Sequence, residues 1–191
     1  MEPQAPPLVL DADDQVELLR VARRAIAHYL EQGQFLSFET NRARLLEPAG
    51  AFVTLRIASR LRGCIGTFEV DRPLLDVVGR MAVASATNDP RFPPLPFEQL
   101  PDVVIEISVL GARHPARPDE VIVGEHGIHL QQGSYRGVLL PQVALDNNWT
   151  REQFLAGTCR KAGLPPDAWR DPATRLEVFS AQVFEEAEGD R

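Results

Sequence analysis

The sequence predicts a mixed α+β fold whose sheets are largely antiparallel. Three observations support this prediction: apolar residues alternate with polar ones over short segments, turn residues join pairs of these segments, and helical periodicity appears between the pairs. The 191 residues, of which 44% are hydrophobic and 25% charged, can bury a core without disulfides or a structural metal.

The predicted elements follow one another without internal repeats. In chain order they are a helix from Asp14 to Gly33, strands over 51–57 and 61–68 joined by a turn, a helix from Pro73 to about Asn88, a proline-rich loop over 89–96, a strand over 103–110, strands over 127–130 and 137–140, a helix from Thr150 to Gly163, and one strand over 176–184. Capping boxes mark two helix starts, one with Asp14 and Glu17 and the other with Thr150 and Gln153.

The charge and the lack of targeting signals restrict the class of protein. A formal net charge of −7 provides no basic surface for nucleic acid or anionic lipid, so we expect neither partner. Residues 1–10 lack the basic and apolar regions of a signal peptide, and no apolar run approaches the roughly 18 residues of a membrane span. Cys64 and Cys159 form no CxxC pair, and both are expected to be reduced thiols in the cytoplasm.

The first candidate site is the segment Leu61-Arg62-Gly63-Cys64-Ile65-Gly66. Gly63 and Gly66 flank Cys64 and lack a Cβ, so another chain or a ligand can come close. Arg62 would favour the thiolate, which is the reactive form of cysteine. Two interpretations stay open: a nucleophilic or ligand-contacting thiol, and a small residue buried in the core, where free cysteines are often found.

The second candidate is the loop Asn88-Asp89-Pro90-Arg91-Phe92-Pro93-Pro94-Leu95, whose prolines fix the path of the backbone. Asp89 can cap local backbone groups, and Arg91 would then be presented to a ligand in one geometry. Alternatively, the loop is architectural and Arg91 pairs with Asp89.

The C-terminal half holds two further candidates. His126 lies in a glycine-rich turn, and because histidine is the residue type suited to proton transfer near neutral pH, it is a candidate for acid–base chemistry or ligand contact. The alternative is a turn histidine bonded to the backbone. His126 and His129 should point to opposite faces of a strand, so we do not expect them to bind one metal ion. Gln142, after an apolar run, is either a ligand contact or a satisfied neighbour of the core.

Recognised mechanistic motifs are missing from the sequence. They include the phosphate-binding GxxxxGKS/T, the dinucleotide-binding GxGxxG, the GxSxG nucleophile elbow and the metal-binding HExxH. We therefore predict no cofactor and no metal site.

Six segments, in this order, resemble the AmmeMemoRadiSam system protein A family, also called the AMMECR domain family. They are LRGCIGTFE (61–69), NDPRFPPL (88–95), EISVL (106–110), HGI (126–128), GVLLPQVA (137–144), and WTREQFL with CRKAGL (149–164). The LRGCIG segment is the hallmark of that family, and the ordered set covers nearly the whole chain.

The resemblance implies a two-lobed α+β fold. In that fold the N- and C-terminal parts form a larger lobe with a mostly antiparallel sheet, the middle supplies a smaller lobe, and a cleft lies between them. We accordingly expect one AMMECR-like domain over 12–185, with loose segments at 1–11 and 186–191. The resemblance also implies a cytoplasmic protein found alongside a Memo-like protein and a radical-SAM protein.

Because no activity is settled for that family, two hypotheses stay open. In the first, the protein is a non-catalytic binding or adaptor component that acts with the Memo-like and radical-SAM proteins. In the second, it is an enzyme or substrate-handling subunit in which Cys64 is the nucleophile and His126 the proton acceptor. The remaining candidates are anion anchors and assisting carboxylates: Arg62, Arg91, Glu69 and Glu106. An unidentified small molecule is also expected among the ligands.

Overall fold

The computed structural model describes residues 8–187, which form two compact units. Of the described residues, unit 1 consists of residues 8–110 and 182–187, and unit 2 consists of residues 111–181. Each unit has its own four-stranded, largely antiparallel sheet and its own apolar core. The predicted α+β class is therefore confirmed.

Helices are interspersed among the strands of both units. In chain order they are α1 (Ala12–Gln32), β1 (Ala51–Ile57), β2 (Arg60–Thr67), α2 (Leu74–Thr87), β3 (Val103–Leu110), β4 (His114–Pro115), β5 (Gly127–Gln132), β6 (Tyr135–Leu139), α3 (Pro141–Asp146), α4 (Arg151–Lys161), β7 (Arg175–Phe179) and β8 (Ala181–Glu185). Short 3-10 helices lie at Ala43–Leu46, Phe97–Asp102, Pro118–Glu120 and Ala168–Arg170. No helix between residues 8 and 187 has the length and apolar character needed to cross a membrane.

The sheet of unit 1 has the strand order β2-β1-β3-β8. Val53 and Leu55 of β1 are fully buried in one core with apolar residues of α1 and α2. Because side chains alternate between the faces of a strand, Thr54 points away from these helices. One face of this sheet is thus apolar and covered by helices, and the other carries polar residues.

The sheet of unit 2 has the order β4-β7-β5-β6. Ile128 of β5 and Val178 of β7 are buried against Phe154 of α4. Gly137 lies directly against the backbone of α4, where a Cβ would overlap the carbonyl of Thr158. The missing side chain therefore lets this helix approach β6 closely.

The ends of α1 and α4 agree with the sequence at three of four positions. Thr150 caps α4 with the predicted partner Gln153, and Gly33 and Gly163 follow α1 and α4 with positive φ angles of 70° and 77°. The start of α1 was predicted wrongly, because Asp11 is its N-cap and Asp14 is the third helical residue of the same capping box. Several aspartates at this end satisfy the same capping pattern, so composition does not fix which one begins the helix.

The single strand predicted over residues 176–184 is wrong. β7 belongs to the sheet of unit 2 and β8 to the sheet of unit 1, and Ser180 separates them. The Ser180 carbonyl accepts a hydrogen bond of 2.9 Å from Gly111 N–H, at the point where the chain enters unit 2. Apolar alternation continues through Ser180, so the sequence pattern contains no sign of the change of sheet.

Order extends beyond the predicted domain boundaries of 12–185. Leu10 is buried, and its backbone N–H and carbonyl bond the side-chain amide of Gln182 at 2.9 and 2.8 Å. Glu186 is also buried and pairs with Arg23. Within the segments predicted to be loose, residues 1–7 and 188–191 lie outside the described part of the chain.

Candidate functional site

Cys64 lies in a row of three polar side chains that crosses the sheet of unit 1. Thr54 of β1 is paired with Cys64 of β2 on one side and with Glu106 of β3 on the other. Directly paired residues project from the same face with Cβ atoms about 5 Å apart. The Thr54 hydroxyl donates a hydrogen bond of 3.2 Å to Cys64 Sγ. A thiol, a hydroxyl and a carboxylate therefore lie side by side.

This row is on the face turned away from α1 and α2. The preceding Gly63 lies against α2, where a Cβ would overlap the carbonyl of Ser85. Because the next residue of a strand points the opposite way, Cys64 projects from the other face, where it is half-buried and outside the apolar core. We call this surface the polar face and define it by Thr54, Arg56, Cys64 and Glu106, together with Arg62 at the adjoining β-bulge of β2.

The proline-rich loop holds the backbone of Cys64 from the open side of β2. Asp89 Oδ2 accepts a hydrogen bond of 2.9 Å from Cys64 N–H, and Arg91 Nη2 donates one of 3.3 Å to the Cys64 carbonyl. Arg91 also forms a two-pronged pair with Asp89, at 2.9 and 2.7 Å. Arg91 therefore pairs with Asp89, as the architectural alternative predicted.

Burial makes Asp89 the centre of this arrangement. Its side chain is 2% exposed and accepts hydrogen bonds from the Arg91 guanidinium and from two backbone N–H groups, those of Cys64 and Arg91. The hydrogen bonds from the guanidinium are the main reason that the pKa of Asp89 lies far below its usual range. Asp89 therefore stays ionised and fixes the edge strand.

Ser85 of α2 fixes the same strand from the helix side. Its hydroxyl accepts a hydrogen bond of 2.9 Å from Ile65 N–H and donates one of 2.7 Å to the Val53 carbonyl. These hydrogen bonds require α2 to lie close to β2, which is possible because Gly63 has no side chain. Sequence reasoning missed Ser85, although the run of small residues from Ala82 to Ala86 in α2 is a usable signal for close helix–sheet contact.

Two arginines near Cys64 differ in how their charge is compensated. The Arg62 and Arg91 guanidinium groups lie 5.9 and 5.5 Å from the centre of the Phe92 ring. Arg91 is neutralised by Asp89, whereas Arg62 donates to the Pro94 carbonyl at 3.2 Å and forms no ion pair within residues 8–187. Of the two predicted anion anchors, Arg62 is the one that keeps an uncompensated charge.

The other predicted residues of unit 1 have distinct surroundings. Glu106 lies 3.8 Å from Arg56, measured from Oε2 to Nη2. Gly66 lies under the ring of Phe52, which a Cβ at that position would overlap, so packing explains this glycine. Glu69 is exposed beyond the end of β2 and lines a separate cavity of about 180 Å³. The polar face therefore includes Glu106 but not Glu69.

In unit 2, His126 is a turn histidine held by the backbone. The ring Nδ1 accepts a hydrogen bond of 3.2 Å from Ile122 N–H, and the backbone N–H of His126 donates one of 2.9 Å to the Ile122 carbonyl. The His126 ring is therefore bonded to the backbone, as the alternative interpretation predicted. Gln142 is the second residue of α3 and is half-buried.

A pair that sequence reasoning missed lies inside the sheet of unit 2. His129 of β5 is paired with Glu177 of β7, and their Nδ1 and Oε2 atoms are 2.8 Å apart. Burial lowers the pKa of His129 although the carboxylate opposes this change. Among the described residues, no group of three or more His, Cys, Asp or Glu side chains is placed to hold a metal ion.

The chain is similar to proteins of one family along almost its whole length. The family model for AMMECR1 matches residues 19–184. A protein from Methanopyrus kandleri is 43% identical over 90% of this chain and 87% of its own, and one from Methanothermobacter thermautotrophicus is 41% identical over 93% and 96%. The crystal structure of an uncharacterised protein from Pyrococcus horikoshii has a TM-score of 0.85 and 41% identity, covering 89% of this chain and 90% of that one. The chain therefore belongs to the AMMECR1 family.

Proposed function

We propose that this AMMECR1 protein is a binding component whose polar face holds an anionic group. The observation that carries the proposal is the uncompensated guanidinium of Arg62, which precedes Cys64 by two residues on β2 and donates to the loop at Pro94. Asp89 and Ser85 fix this strand from both sides, so a ligand would meet a surface that is already ordered. Such preorganisation reduces the entropy lost on binding.

The hydrogen bonds of Cys64 favour binding over nucleophilic catalysis. A thiol nucleophile is activated by a neighbouring base or by another group that stabilises the thiolate. Within residues 8–187, Cys64 Sγ accepts from the Thr54 hydroxyl and has no hydrogen bond to an imidazole or a carboxylate. The ring of His126 already accepts a hydrogen bond from Ile122 N–H. These contacts support a role in which the thiol lines a binding surface.

The anionic group is contributed by a partner protein or by the small molecule that the partner handles. The resemblance that the sequence carries points to a Memo-like protein and a radical-SAM protein as these partners. In this proposal the present chain is an adaptor, and the chemistry takes place on the partner.

Calorimetric titration of the full chain with the purified Memo-like and radical-SAM proteins of the same organism tests the proposal. Arg62→Gln should weaken binding roughly tenfold, since it removes a charge-assisted contact. Arg175→Gln, which removes an exposed charge from β7 in unit 2, should leave binding unchanged. Absence of binding, or equal affinity of the wild type and the Arg62 variant, would rule out this role for the polar face.

A second candidate function is an enzyme or substrate-handling subunit that uses Cys64, and the half-buried position of this thiol favours it. The iodoacetamide reaction rate of Cys64, measured against pH in a Cys159→Ala background, separates the two functions. A rate at pH 7 far above that of free cysteine would support the enzyme. A rate equal to or below that of free cysteine would support binding.

A further inference from the structure

The geometry points to a second binding site on unit 1, which takes a small organic anion and is independent of the polar face. A cavity of about 290 Å³ lies along α1 at the point where the chain leaves β8. Its lining residues are Val16, Leu19, Arg20, Arg23, Arg24 and Glu186. The volume is near the lower end of the range found for small-molecule pockets.

Arg23 and Glu186 form the fixed back of this cavity. Arg23 Nε and Nη2 each lie 2.6 Å from one oxygen of the Glu186 carboxylate, and the same oxygen that faces Nη2 accepts a hydrogen bond of 2.8 Å from Ile105 N–H. Arg23 also donates to the carbonyls of Leu100 and Val103, at 3.1 and 2.7 Å. The Glu186 side chain is 2% exposed and paired with Arg23. Because Arg23 balances its negative charge, Glu186 does not repel an incoming anion.

Arg20 and Arg24 supply the charge that a ligand would meet. They are one helical turn apart on α1 and therefore lie on the same side of the helix. Within residues 8–187, Arg20 forms no ion pair, and Arg24 lies over the Phe38 ring at 5.6 Å rather than against a carboxylate. The lining thus has three guanidinium groups and one carboxylate, in a protein whose formal net charge is −7.

Apolar residues beside these charges define the class of ligand. Val16 is 47% exposed, and Leu19 also lines the cavity. A ligand that complements both the arginines and the apolar residues has one carboxylate or phosphate group for Arg20 and Arg24 and a short apolar body for Val16. We therefore assign the site to small amphipathic anions.

Calorimetric titration with hexanoate, hexyl phosphate and hexanamide tests the assignment. Hexanoate and hexyl phosphate should bind, with an affinity that falls as salt is raised, and the uncharged hexanamide should not. The two anions distinguish a preference for carboxylate from one for phosphate. Amide chemical shifts should change at Leu19, Arg20 and Arg24. Equal binding of hexanamide, or shifts located elsewhere, would overturn the assignment.

Matched arginine variants locate the contact. Arg20→Gln and Arg24→Gln should each weaken hexanoate binding roughly tenfold, because each removes a charge-assisted contact. Arg60→Gln is the control for an exposed charge in unit 1. Arg80→Gln is the control for Arg24, because Arg80 likewise lies over a phenylalanine ring, that of Phe35 at 5.4 Å. If the control variants lose as much affinity as Arg20→Gln and Arg24→Gln, the anion does not bind in this cavity.

Discussion

The two cysteines show how differently the two units use the same side chain. Cys159 is fully buried in the last turn of α4, and burial raises the pKa of its thiol. Cys64 lies on an edge strand outside the core, where a hydroxyl bonds its sulfur and a charged loop holds its backbone. The face from which a residue projects, and not its type, decides whether the thiol is part of the packing or part of a surface.

A glycine beside each cysteine gives the first way to test this comparison. Gly63 lies against a backbone carbonyl of α2, whereas a Cβ on Gly157 would lie 2.7 Å from the ring of Trp149. A ring can turn aside, but the backbone of a packed helix cannot do so without moving the helix.

Gly63→Ala should therefore have the largest effect, a loss of about 3 kcal/mol in the free energy of unfolding. Gly157→Ala should lose about 1 kcal/mol or less, because alanine gains about 1 kcal/mol of helix propensity and offsets part of the overlap. Urea unfolding of the two variants measures both values. Equal losses would mean that the α2–β2 contact is as adaptable as the Trp149 ring.

A second test compares two aspartate–arginine pairs with the same spacing. Asp89 and Arg91 in unit 1 are joined around a buried carboxylate, and Asp119 and Arg117 in unit 2 are joined on an exposed surface. Asp89→Asn should lower the free energy of unfolding by about 2 kcal/mol, since it weakens hydrogen bonds to buried donors. Asp119→Asn should change it by less than about 0.5 kcal/mol, as is usual for exposed pairs.

Urea unfolding near pH 7 gives both values. A loss at Asp89 as small as the loss at Asp119 would show that the loop does not hold the edge strand.

The smallest expected effect is a difference in pH dependence between the units. The folded-state pKa of His129 is lowered, so the unfolded chain binds more protons and unit 2 loses stability as the pH falls below about 6.5. The folded-state pKa of Asp89 is also lowered, so its contribution is complete above about 3.9 and is lost only as the pH falls further. Between pH 7 and 5, unit 2 should therefore weaken while the contribution of Asp89 to unit 1 is constant.

Native-state hydrogen exchange resolves the two units in one experiment. Amides of β5 should lose protection between pH 7 and 5 after correction for the intrinsic exchange rate, and amides of β2 should not. In His129→Gln the loss in β5 should disappear. If β5 amides of this variant still lose protection between pH 7 and 5, protonation of His129 is not the cause.

Local patterns in the sequence predicted most helices and strands, but they did not predict the contacts between these elements. The hairpin of β1 and β2 and the capping box at Thr150 depend on residues close in sequence, and both were predicted. The bond from Asp89 to Cys64 spans 25 residues, and the pairing of His129 with Glu177 spans 48. Neither separation leaves a periodic signal, because such pairs are set by strand register and loop path.

The same distinction explains the outcome at the candidate site. The resemblance indicated the segments that contain Cys64, Asp89 and Arg91, and composition left open whether Arg91 faces a ligand or Asp89. Only the loop geometry decides between these alternatives, since an arginine two residues from an aspartate can point either way. The two uncompensated arginines of α1 went unnoticed because a charged helix face is normally a solvated one.

The change of sheet at Ser180 has a consequence for the order in which the chain folds. Unit 2 is one continuous stretch of sequence, whereas the sheet of unit 1 needs β8, which follows that whole stretch. During synthesis β8 is made after every strand of unit 2, so β3 keeps a free edge until the end of the domain emerges. An unpaired edge strand is prone to pair with other chains. The final residues of the AMMECR1 domain thus close its sheet against aggregation.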